Sequence, residues 1–553
     1  MGFIKTFLGV ALFFFTATCF AQQISIASKY YTIPVLKNKD NNTLVRLKID
    51  LPQNPREFFM TRLSLDFSGT TDLNDIKSVS VFCNTDSLFL NAEKIFQAGS
   101  FALYNRPVLK HSLQLQGNLR FDKNKINYLW VTISLNETAK LQNRISVAVT
   151  GIIVNSQSFK INYADVVANR VGTAVRQFMQ DNVHTSRIPG IATAANGDLL
   201  AVYDARYDSR RDLQGDIDIA LNRSTDRGNT WLPMQVIIDK GSWGNLPEKF
   251  NGVSDACILV DKNTRDIFVA GLWMHGILDS SGAWITGLTD TSSGWNHQWR
   301  NKGSQPGFSP KQTSQFLIVK STDNGKTWSE PVNITKMCKK EDWWLFAPAP
   351  GSGITLADGT LVFPTQGRDE EGHPFSNITY SKDNGKTWVT TNAAVKEATS
   401  EHMVVQLQDG SIMANMRTNA NKGLTVKGNG RAIAVTYDMG KTWKEHATSR
   451  NALPEPVCMA SLYKHEYYKS GKKQSVLFFL NPNSATHRKN ITLKVSYDDG
   501  KTWPQEEFIL LDELSGNGYS CITTIDSDTI GVLYESSQAQ LVFQQINIKD
   551  TIK

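Results

Sequence analysis

The pattern Ser/Thr-x-Asp-x-Gly-x-Thr-Trp occurs five times, starting at Ser224, Ser321, Ser381, Thr436 and Ser496, and the last four copies lie 55 to 60 residues apart. Repetition at a fixed period makes the chain an array of one supersecondary unit. Each copy follows an alternating apolar stretch, such as Ala432-Ile433-Ala434-Val435 or Ile491-Thr492-Leu493-Lys494-Val495, that reads as a strand. The Asp carboxylate accepts nearby backbone N–H groups, the Gly supplies positive φ, and the Trp packs the next strand. The box aspartates Asp226, Asp323, Asp383, Asp438 and Asp498 are therefore structural. Evenly spaced four-stranded units predict an all-β chain whose main part is a six-bladed β-propeller. The gap of 97 residues between the first two boxes leaves room for a blade without the motif.

No box precedes Tyr163, and strand-like runs at 128–135 and 144–154 are separated by polar turns. Residues 22–163 are expected to form a β-sandwich, either a carbohydrate-binding module or a packing domain, ahead of a propeller over 164–553. Residues 1–21 read as a secretory signal: Lys5, an apolar run from Phe7 to Phe15 too short to span a bilayer, and small residues up to Ala21. Export to the periplasm or the outside follows, with lipidation at Cys19 as the competing reading and no later transmembrane stretch. Five cysteines remain, Cys83, Cys257, Cys338, Cys458 and Cys521, scattered without a Cys-x-x-Cys pair, which points to buried free thiols. The net charge of +7 comes from Lys and Arg spread along the chain, which excludes a nucleic-acid tract and leaves a mild field that attracts anions.

The segment Ser186-Arg187-Ile188-Pro189 stands just upstream of the first box, and with the five boxes it makes the chain from about Gln180 onward resemble the bacterial sialidases, or neuraminidases. The resemblance implies hydrolysis of terminal sialic acid from glycans, glycoproteins or glycolipids, with no cofactor and no metal. It implies three carboxylate-binding arginines: Arg187, Arg417 in Ala-Asn-Met-Arg and Arg488 in His-Arg-Lys-Asn-Ile. A planar guanidinium suits this task because it bonds a carboxylate bidentately. Glu535 matches the glutamate that orients the first arginine, and Tyr519 in Gly-Asn-Gly-Tyr-Ser matches the nucleophile. Glu401 in Thr-Ser-Glu-His-Met matches its partner base. The general acid falls on Asp212 in the loop after Arg206-Tyr207, with Asp208 as competitor and Asp216 and Asp218 assigned to a strand start. Arg206 and Asp255 match further substrate-binding positions, and Trp273 and Gln366 are weaker pocket candidates. A sialic-acid lectin on the same propeller would need the arginines without Asp212, Glu401 and Tyr519. A transglycosylating relative would share every one of these residues.

Overall fold

A computed structural model describes residues 23–53, 56–88, 99–104, 108, 110–213, 215–244, 246–275, 277–278, 289, 296–297, 304–310, 312–425 and 427–551. The expected signal over 1–21 and its Cys19 lie outside them. The front of the chain forms two antiparallel sheets packed face to face. One has the order Ser25–Tyr30, Asn42–Asp50, Asn127–Leu135, Ile76–Asn84, Gly99–Tyr104, and the other Gln157–Lys160, Ala148–Val154, Phe59–Asp66, Ser112–Arg120. Asn127–Leu135 is buried along its whole length because it is the central strand, flanked on both edges and covered on both faces. The run at 144–154 is split: Arg144–Ile145 turns away to pair with Asn169–Arg176, and only Ala148–Val154 stays in the sandwich.

Seven further sheets follow among the described residues, six that form blades and the two-stranded pair of Ile277–Leu278 with Asn296–His297. The first has the order Thr185–Thr193, Leu199–Arg206, Ile217–Ser224, Gln235–Ile238, and the next four begin with the inner strands Val253–Val260, Leu345–Pro348, Thr399–Gln406 and Ser461–Lys469. The sixth takes Ser520–Asp526, Thr529–Tyr534 and Leu541–Asn547 from the end of the chain and its outer strand, Asn169–Arg176, from before the first sheet. Each blade packs on the next, and Ser520–Asp526 returns to Thr185–Thr193, so the six blades close into a ring. Closure by strands from both ends leaves no free edge between first and last blades.

The boxes end the third strands of blades one to five, and the sixth blade has none. The expectation of a boxless blade inside the 97-residue gap is thereby corrected. In the second blade Ile267–Trp273 pairs directly with Gln315–Ser321, so the extra length is an insertion within one hairpin, most of it outside the described residues. Within a box, Asp323 Oδ1 accepts from Ser321 Oγ at 2.8 Å and from Thr327 N at 2.9 Å, and its other oxygen accepts from Thr327 Oγ1 at 2.6 Å. The box Gly also sets blade spacing: a Cβ on Gly228 would lie 2.1 Å from Phe543 in the sixth blade, and one on Gly325 2.7 Å from Leu200 in the first. Of the cysteines, Cys257, Cys338, Cys458 and Cys521 are buried free thiols and Cys83 is partly buried.

The sandwich is knitted to the propeller. Val35–Leu36 adds a parallel strand to the outer edge of the sixth blade, and Leu36 lies in that blade's core with Val542 and Ile546. Lys29 reaches Glu513 at 2.8 Å, and Arg144 reaches Asp550 at 3.1 Å. Among the described residues no helix is long and apolar enough to cross a membrane.

Candidate active site

The starts of the inner strands and the ends of the second strands share one face of the ring, and Arg187, Arg206, Asp212, Asp255, Glu401, Arg417, Arg488, Tyr519 and Glu535 lie on or next to them. Arg187, Asp255 and Glu401 sit where three inner strands lose register, between Arg187 and Gly190, Ser254 and Cys257, and Thr399 and His402. A bulge of this kind re-aims a side chain that a regular strand would send into the sheet packing. Ile188 and Asp255 accordingly take φ of 59° and 60°, in the left-handed region that is costly for a non-glycine residue.

Glu535 is fully buried and collects four donors. Its Oε1 accepts from Arg187 Nε at 2.9 Å and Ile188 N at 3.0 Å, and its Oε2 from Arg187 Nη2 at 3.2 Å and Tyr519 N at 3.0 Å. One carboxylate thus fixes an arginine, the strained residue after it, and the backbone of the tyrosine. Burial pulls the Arg187 pKa down, but Glu535 outweighs it and the net shift is upward.

Tyr519 is buried, and its hydroxyl donates to Glu401 Oε1 and accepts from Arg417 Nη1 at 3.0 Å. The same Arg417 nitrogen bonds Glu401 Oε2. The guanidinium groups of Arg187 and Arg488 lie 5.2 Å and 5.4 Å from the centre of the Tyr519 ring. Arg187, Arg417 and Arg488 therefore converge on one phenol. Burial would raise the Glu401 carboxyl, but Arg417, the Tyr519 hydrogen bond and Arg488 together hold it below the usual range. Burial and then Glu401 push the phenol well above its ordinary value. The resting pair is an ionised carboxylate and a protonated phenol, poised for proton transfer on attack.

Arg206 bridges two acids, with Nη2 2.7 Å from Asp204 Oδ2 and 2.9 Å from Asp212 Oδ1. The Asp212 side chain is 50% exposed. Its competitor Asp208 turns to the backbone and accepts from Asp216 N at 3.3 Å. Asp216 and Asp218 form a separate acidic group with Glu248, and burial raises the pKa of Asp216 to about 7 and of Asp218 to about 8. Asp255 accepts from Gln366 Nε2 at 3.2 Å, and burial with the charges of Asp212, Asp204 and Glu401 raises its pKa strongly. Trp273 is core, edge-on to Trp243 at 5.0 Å.

Sequence reasoning missed Asp204. It is fully buried, bonds Arg206 and accepts from Asp255 N at 3.0 Å, and burial lifts its pKa to about 7. A signal was present: an acid two positions before Arg206 in an otherwise apolar strand must share that arginine's face.

Fold and side chains together define a β-propeller glycoside hydrolase. The BNR repeat-like domain matches residues 188–512, and the N-terminal domain of BNR-repeat neuraminidase matches residues 21–158. A Bacteroides fragilis sialidase is 36% identical over 98% of this chain and 99% of its own length. A Paraclostridium sordellii sialidase is 30% identical over 64% of this chain and 82% of its own. The solved structure of a Hadza microbial sialidase superposes with a TM-score of 0.84 at 34% identity, covering 95% of this chain and 100% of that one. The chain belongs to the BNR-repeat sialidase family.

Proposed function

We propose that this chain is an exo-α-sialidase that removes terminal sialic acid from glycans, glycoproteins or glycolipids by a retaining double displacement. The observation that carries the reading is a phenol hydrogen-bonded to a buried carboxylate inside three converging guanidinium groups. Sialic acid bears its carboxylate on the anomeric carbon. Arg187, Arg417 and Arg488 bind that group, each charge-assisted bond contributing about 1.5–3 kcal/mol. An attacking Asp or Glu would meet like-charge repulsion there, and a neutral phenol does not. Sialidases with a tyrosine nucleophile are a known departure from the two-carboxylate scheme.

In the first half-reaction the Tyr519 oxygen bonds the anomeric carbon as its proton passes to Glu401. The glycosidic C–O bond breaks, and Asp212 protonates the departing oxygen. In the second half Asp212 accepts a proton from the attacking water, the tyrosyl bond breaks and Glu401 returns the proton to the phenolate. Two inversions give net retention. The exposed half of Asp212 is where the leaving sugar sits, and Arg206 holds the carboxylate there. The reading of residues 1–21 as a secretory leader supports export of this enzyme to where sialylated glycans are.

Proton NMR of the first-formed product reads the stereochemistry: the α-anomer is expected, and the β-anomer refutes the double displacement. Mass spectrometry after a 2,3-difluorinated sialic acid should find the adduct on Tyr519, and Tyr519→Phe should lower kcat by about two orders of magnitude or more at unchanged thermal stability. Full activity in that variant excludes the nucleophile assignment.

A further inference from the structure

Behind the site stands an ion pair that the mechanism does not use. Arg431 and Glu455 are sealed from solvent at 0% and 1% exposure, with Nη1 2.6 Å from Oε2. Compared with an apolar pair, a buried pair of this kind gives little or no net stability, so its value lies in the directions it fixes. Arg431 Nε and Nη2 donate to Asn415 Oδ1 at 2.7 Å and Asn415 O at 3.0 Å, and Nη1 also donates to Cys458 O at 2.7 Å. Glu455 Oε1 accepts from Thr418 N and Asn421 Nδ2, each at 2.9 Å, and Oε2 from Cys458 N at 3.4 Å. Three of these bonds end beside the site, one on Thr418 and two on Cys458, because Thr418 follows Arg417 and Cys458 follows Val457.

Val457 has φ of 52°, where a β-branched side chain is strained. The pair grips Cys458 by both its N–H and its carbonyl, which holds Val457 in that conformation. The Val457 carbonyl then accepts from Arg488 Nη2 at 3.1 Å, and the Asn517 carbonyl accepts from Arg488 Nη1 at 3.0 Å. Glu535 balances Arg187 and Glu401 balances Arg417, whereas among the described residues no carboxylate lies within ion-pair distance of Arg488. Two carbonyl dipoles position this cation and leave its charge for a ligand.

We propose that Arg431 and Glu455 are positioning residues for carboxylate recognition: they hold Val457 in a strained conformation that aims its carbonyl at Arg488, and they tie down Arg417 through Thr418. The inference rests on the reading of Arg417 and Arg488 as carboxylate-binding groups. The preference for a fluorogenic α-sialoside over the same compound with its carboxylate converted to a carboxamide, taken as a ratio of kcat/KM, measures that recognition directly, and loss of stability alone does not move it. Glu455→Gln should raise KM for the acid substrate with a smaller change in kcat and reduce the ratio about ten- to a hundred-fold, the worth of one charge-assisted bond. Val457→Gly leaves the ion pair intact but releases the strain and lets the carbonyl turn, so it should fold normally and reduce the ratio in the same direction.

A folded Glu455→Gln enzyme that keeps the native ratio overturns the proposal. Where that variant does not fold, Val457→Gly decides: a reduced ratio supports the proposal and a native ratio overturns it. A native enzyme with no preference for the acid overturns the functional reading itself, a different result from a native preference that both variants keep.

Discussion

Glu535→Gln is the most demanding test of how the site is held. The native carboxylate accepts four N–H groups, two on each oxygen. A glutamine keeps one oxygen and turns an NH₂ toward the other two donors, so two bonds are lost and become donor–donor contacts. At about 1.5–3 kcal/mol per bond to a charged group, the loss is about 3–6 kcal/mol, which agrees with the roughly 3–5 kcal/mol measured when a buried ion pair loses one partner. About 4 kcal/mol should lower the thermal midpoint by several degrees. Because the lost bonds hold Arg187 and the Tyr519 backbone, most of it should also appear in catalysis, as a fall in kcat/KM of about a hundred- to a thousand-fold. Calorimetry and hydrolysis of a fluorogenic sialoside read the two effects. A melting temperature within about a degree of the native value, with kcat/KM within about threefold, would refute the idea that Glu535 holds Arg187, Ile188 and Tyr519 together.

Lys494 is fully buried beside Phe479 and Phe508, with Asn481 Oδ1 2.7 Å from its Nζ, and burial lowers its pKa to about 7 from an ordinary 10.5. The folded state then holds fewer protons than the unfolded one between those values, so unfolding free energy should rise with pH from about 7 to 10.5, by up to about 4 kcal/mol, and Lys494→Met should flatten this rise in pH-dependent denaturation. Hydrogen bonds from neighbouring Ser/Thr and backbone groups lower Asp323, Asp383 and Asp438 to about 2, so the stability their ionised forms contribute should be lost as pH falls from about 4 toward 2. Asp383→Asn should weaken that acid limb in scanning calorimetry. A chain begun at residue 164 removes Val35–Leu36 and bares the Asn169–Arg176 edge of the sixth blade. Light scattering should find that chain associating and melting below the full-length protein, and equal stability would contradict the packing described above.

What the sequence by itself determined is what local interactions determine. The box turns close hydrogen bonds within four residues, as from Thr387 to Asp383, and the strands before them are legible from their apolar period. Those two features made an all-β propeller legible, and the candidate site residues were read from short recognisable motifs. The placement of the boxless blade was not, since a long insertion and a missing blade leave the same gap in a linear chain. Only the closed ring decides that Asn169–Arg176 joins the C-terminal strands. It alone also brings Glu535 to Arg187 across 348 residues and Glu401 to Tyr519 across 118. Asp204, Arg431 and Glu455 belong with these: a buried charge is tolerable only where its partner arrives in space, and that arrival is a property of the packed blades rather than of any stretch of chain.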